Sequence, residues 1–144
     1  MIQHMITLLK KPPMRWMLAI IWTIIITILL LQPGDKPVFD PGGMLEGPES
    51  LGREIFFTTI HLIAFSMTCA IWFWTWYGHL NLTRSLLLSS GLTIIFGIVT
   101  EYLQSYASDR SPSVIDFTAN CLGALLIAYL IWRKQNHIPH LTTM

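Results

Sequence analysis

Charge is scarce in this chain. Asp, Glu, Lys and Arg make up 12% of its 144 residues, where a typical soluble domain carries about a quarter. Cysteine is scarce too. The only two, Cys69 and Cys121, fall inside long apolar runs, where they read as small packing residues rather than a disulfide. No C-x-x-C and no Cys/His ligand spacing occurs, so neither a metal nor a cofactor is expected. Long basic runs are missing, and the formal net charge is +1, which removes the electrostatic footprint of a nucleic-acid binder. No phosphate loop, nucleophile–base pairing or internal repeat is legible. By length the chain is a single domain, residues 1–144.

What the chain has in abundance is apolar surface: 53% of residues are hydrophobic, with six Trp, seven Phe and four Tyr. Four runs, at about 16–31, 55–77, 86–104 and 114–132, approach the roughly 20 helical residues needed to cross a bilayer. A backbone in lipid must satisfy its own amides, so each run should be a helix. The expected fold is all-α, a four-helix transmembrane bundle. Lys10, Lys11 and Arg15 precede the first run as they would in a secretory signal. That run is longer than a signal core, however, and no A-x-A-like site follows, so a retained anchor is expected.

Basic residues favour the cytoplasmic side. Lys10, Lys11, Arg15, Arg84, Arg133 and Lys134 lie on one side of the alternating spans; Lys36, Arg53 and Arg110 lie on the other, with Asp35, Asp40, Glu46, Glu49 and Glu54. Both termini are therefore expected to be cytoplasmic. The Pro- and Gly-rich connection 32–54 then faces outward. It is too broken for a helix or a central strand, and it reads either as a disordered link or as an ordered flap. Val38, Phe39, Met44 and Leu45 tip that reading towards the flap.

Polar groups inside spans cost free energy, about 2.5–3.5 kcal/mol for a mid-helix charge on insertion scales. Here they gather near the outward side. Glu101 and Gln104 lie three apart on the third run, hence on one helical face. Asp116 and Asn120 lie four apart on the fourth, with Gly123 continuing the stripe and Arg110 in the connection before them. His61 lies six residues into the second run. At 1.5 Å per residue, His61 and Asn120 both sit about 9 Å below the outer edge, and the others lie shallower. The pattern predicts one layer, open to the outside, formed by His61, Glu101, Gln104, Arg110, Asp116 and Asn120.

Each of these residues also has a purely structural reading. Ser113-Val-Ile-Asp116 fits a capping box. Glu101 and Arg110 can pair across a tight turn, Asn120 can glue helices together, and a lone His61 can be a hydrogen-bonded packing residue. His4, His79, His137 and His140 read as incidental. Trp16, Trp76 and Trp132 read as interface anchors, and Trp22, Trp72 and Trp74 as packing or lipid-facing.

Thr100-Glu101-x-x-Gln104, then Arg110, then Asp116-x-x-x-Asn120-x-x-Gly123 resembles the VanZ-like family of bacterial membrane proteins. An upstream helix in that family commonly carries Asp-Lys, a His three residues after the Lys, and an aromatic four further on. His61 and Phe65 match the second half, but Phe57 and Thr58 stand where the charged pair would be. Ile127 stands where a further small residue is common. The resemblance spans about residues 55–132. The family is named for glycopeptide (teicoplanin) resistance. The likeness implies a role at the envelope of a bacterial inner membrane, near lipid-linked precursors or other amphiphiles.

Two functions follow as expectations. The first is a non-catalytic accessory subunit packed against larger membrane proteins, which loss of the Asp-Lys pair fits. The alternative is an envelope protein that binds or modifies a lipid-linked or glycopeptide-related amphiphile. In that version Arg110 holds an anionic head, Glu101 or Asp116 acts as base and His61 shuttles the proton. Whether the chain is an enzyme stays open. Transport fits less well, because no span is broken.

Overall fold

The computed structural model describes residues 11–31, 51–106 and 113–136. They form four helices: α1 (Pro12–Leu30), α2 (Leu51–Tyr77), α3 (Leu82–Gln104) and α4 (Val114–Asn136). All four are long and apolar enough to cross a membrane, so the expected all-α, four-helix fold class is the one observed. The connection at 32–50, with its expected flap, and Arg110 lie outside the described residues.

The helices outrun the apolar segments at their ends, because helix termini are set by capping rather than by hydropathy. Lys11 is extended (φ −69°, ψ 134°), as a residue before proline prefers. Pro12 and Pro13 then occupy the first turn, where a missing N–H costs nothing. α3 starts four residues earlier than its apolar run because Asn81 caps it, its side chain accepting from the Arg84 amide at 2.9 Å. α4 runs on to Asn136 with Arg133 and Lys134 in its last turn, where cations complement the helix dipole. α2 opens at Leu51, so 51–54 belong to a helix and not to the loop.

α2 is the central element. It packs most extensively against α4, then α3, while α1 leans on α2, touches α3 slightly and does not pack against α4. The tight α2–α4 approach depends on Gly123, where a Cβ would run into the Leu62 carbonyl oxygen and lie 3.0 Å from the Ser66 hydroxyl. Ser66 closes the contact by donating to the Gly123 carbonyl at 3.0 Å. Small residues at such crossings let backbones approach, which is how helices gain packing energy in lipid.

Much of the bundle's interior is polar, beside an apolar cluster of Ile26, Leu30, Ala64 and Phe65, while its outside is apolar. α3 buries Ser85, Ser89, Thr93, Gly97, Thr100, Glu101 and Gln104, with no large aliphatic residue among them. Phe65, fully buried, fills the middle and stacks on Phe96 at 5.6 Å. Ile20, Ile24 and Ile28 of α1, Ile95 of α3 and Leu125 of α4 lie exposed, part of an apolar surface far too broad for water. Lipid chains are the medium that suits it.

Candidate functional site: a buried polar network between three helices

The network begins where α3 ends and α4 starts. Ser113 lies just before α4, and its hydroxyl accepts from the Asp116 amide at 3.2 Å, half of the predicted capping box. The reciprocal half is not made. The Asp116 carboxylate instead reaches across to α2 and accepts from the Thr58 hydroxyl at 3.3 Å. Thr58, one of the two positions that depart from the VanZ-like pattern, thus takes a place in the network.

One turn deeper, Asn120 is fully buried and joins the other two helices. Its carboxamide nitrogen donates towards Glu101 of α3 at 3.5 Å, a long bond. Its carboxamide oxygen lies 3.0 Å from Nδ1 of His61 on α2, so His61 donates through Nδ1 when the amide is oriented this way. The other oxygen of Glu101 accepts from the Ser113 backbone amide at 3.2 Å. His61 and Glu101 are 2% and 8% exposed, so a carboxyl group and an imidazole sit in the same buried interior, linked by one amide. Gly97 makes room for it: a Cβ there would press on Phe65 at 3.2 Å and on the Asn120 Cβ at 3.3 Å. The His61 ring lies parallel to Phe65, with centroids 6.3 Å apart.

Five of the six predicted residues, His61, Glu101, Gln104, Asp116 and Asn120, therefore lie at the same end of the bundle, and four of them join through Asn120 and Ser113. Gln104 is the exception in direction. It is buried, but it donates to the Leu30 carbonyl at 2.9 Å, closing the last turn of α1 instead of joining the network. Arg110 lies outside the described residues, and with it the ion pair expected with Glu101. Sequence reasoning missed Thr58 as a partner because an isolated threonine carries no signal. It used Ser113 only as a cap, because a backbone amide is invisible to side-chain patterns. Among the described residues no cluster of His, Cys, Asp and Glu has the makings of a metal site.

Chemically, the network offers carboxylate acceptors at the helix ends, an amide that both donates and accepts, and an imidazole against an aromatic face. It can meet hydroxyl and amine groups near the membrane surface. The fold and this network define a class: a four-span α-helical membrane protein with an ionisable interior at one face. Compared with known proteins, the chain matches no family model, no curated protein and no solved structure.

Proposed function

We propose that this chain is a VanZ-like protein of the bacterial cytoplasmic membrane that binds the polar head of an amphiphile where α2, α3 and α4 bring Glu101, Asp116, Asn120 and His61 together. The observation that carries the reading is the Glu101–Asn120–His61 chain inside a bundle whose other needs are met by glycine contacts and hydroxyl back-bonds. Apolar residues of like volume often stabilise a fold as well as buried ionic groups do or better. An intramembrane carboxyl beside an imidazole therefore argues for use. With both termini cytoplasmic, this face looks outward, towards lipid-linked envelope precursors.

The test is binding of a lipid-linked precursor to purified protein in nanodiscs, with Glu101→Gln and Asp116→Asn as controls. Loss of binding in either variant, with the fold intact by circular dichroism, is the expected result. Indifference to both substitutions ends the proposal. A second reading has its own support: several of the network's bonds close within the chain, as they would in a purely structural device. On that reading the protein is a non-catalytic accessory subunit in a larger membrane complex. Gentle extraction and native sizing separate the two, since an accessory subunit travels with its partners and an independent protein travels alone.

A further inference from the structure

The opposite end of the bundle holds a cation that no acidic side chain among the described residues neutralises. Arg15 lies in the first turns of α1, half-buried against the last turns of α2. Its guanidinium carbon sits 4.9 Å above the Trp74 ring, and one Nη donates to the Trp74 carbonyl at 3.2 Å. Gly78 leaves the space it fills, since a Cβ there would come within 2.6 Å of that Nη. Two buried donors at this end, Arg15 Nε and Trp76 Nε1, make no hydrogen bond. Trp76 joins the same layer through Trp16, whose ring meets it edge-on at 4.9 Å.

A guanidinium stays protonated in any protein setting, so burial leaves it in need of an anion. Among the described residues no acidic side chain lies there: Glu54, Glu101 and Asp116 sit at the other end. Lys11, Arg84, Arg133 and Lys134, all exposed, add more positive charge around Arg15. No described residue supplies the counter-charge, and tryptophans such as those around Arg15 favour the level of the lipid head groups, where phosphates are at hand.

We propose that Arg15, held by Trp74 and Gly78, is a binding site for the phosphate of an anionic phospholipid in the leaflet at this end of the bundle. The site is independent of the Glu101 network. Arg15 differs from the four exposed cations in being fixed: its cation–π contact and carbonyl bond hold the guanidinium in place, which suits the planar donor fork to a phosphate.

The experiment places the full chain in nanodiscs of phosphatidylcholine alone, or with phosphatidylglycerol. Lipids retained on ejection are counted by native mass spectrometry, and thermal unfolding is followed in parallel. Wild type is expected to retain phosphatidylglycerol preferentially and to melt higher with it. Arg15→Gln loses the preference roughly fivefold, the equivalent of about 1 kcal/mol for one basic residue at a charged surface. The triple variant Arg84→Gln/Arg133→Gln/Lys134→Gln keeps most of it. If the triple variant instead abolishes the preference, the attraction is diffuse and the proposal falls. Should Arg15→Gln not fold, Arg15→Lys serves in its place: it keeps the charge without the fork and is expected to show a weakened preference, whereas an undiminished one overturns the site. Inorganic phosphate added to phosphatidylcholine discs is the arm for the free anion. Equal protection by phosphate and by phosphatidylglycerol overturns the assignment to lipid, and no preference in wild type overturns the site altogether.

Discussion

Asn120 shows how one side chain can decide whether a polar interior is tolerable. It accepts from His61 and donates towards Glu101, so replacing it with alanine removes a partner from each and leaves a small cavity. Leaving a buried polar group unsatisfied costs about 1–3 kcal/mol. Asn120→Ala is therefore expected to lower stability by that order, measured by chemical unfolding in micelles. Asn120→Asp should be worse, because it sets a second carboxyl beside Glu101 in a medium that cannot screen it. If Asn120→Ala unfolds at the wild-type midpoint, the network is not holding the helices. Outside the spans, Tyr106 shows a gentler version of the same physics: its hydrogen bond with Tyr102, 2.7 Å long, pushes the Tyr106 hydroxyl above the ordinary phenol range.

Among elements, the α2–α4 contact carries the packing, and two glycines separate its demands from mere helix propensity. Gly123 has a backbone carbonyl where its Cβ would be, whereas Gly91 of α3 has nothing within 4 Å. Gly91→Ala is expected to be neutral or to stabilise by up to about 1 kcal/mol, the usual helix gain. Gly123→Ala should destabilise by about 1–3 kcal/mol through overpacking. The pair is compared in one unfolding series, and equal behaviour would refute the packing argument. The same elements mark what was legible in the sequence. The four helices and the shared layer of His61 and Asn120 could be read because hydropathy and a rise of 1.5 Å per residue fix both. Helix ends at Leu82 and Asn136 could not, since the Asn81 cap and a charged last turn continue a helix beyond its apolar run. Gln104 was placed at the right level with the wrong partner, because spacing gives a face of α3 but not which neighbour covers it. Nor did anything in the sequence of α1 announce that Trp22 donates to Thr68 at 2.9 Å and Trp72 to Thr23 at 3.2 Å, seating α1 chiefly on α2.

For the whole molecule, the direction in which the network faces decides what it can meet. The start of α1 and the end of α4 lie at one end of the bundle, and the charge asymmetry predicts which side of the membrane that end faces. Lys11, Arg15, Arg84, Arg133 and Lys134 share one end, while Glu54, Glu101 and Asp116 share the other. Basic residues close to span ends resist translocation, whereas acidic ones contribute little. The end carrying Arg133 should therefore stay in the cytoplasm. Single cysteines test this with a membrane-impermeant thiol reagent on intact cells, because native Cys69 is buried and Cys121 lies within α4, which keeps the background low. Glu54→Cys, exposed in the first turn of α2, should label without permeabilisation, and Lys134→Cys only after it. The reverse pattern would turn the Glu101–Asn120–His61 network towards the cytoplasm. An envelope precursor on the outer leaflet would then be out of reach, and any ligand of the network would have to come from inside the cell.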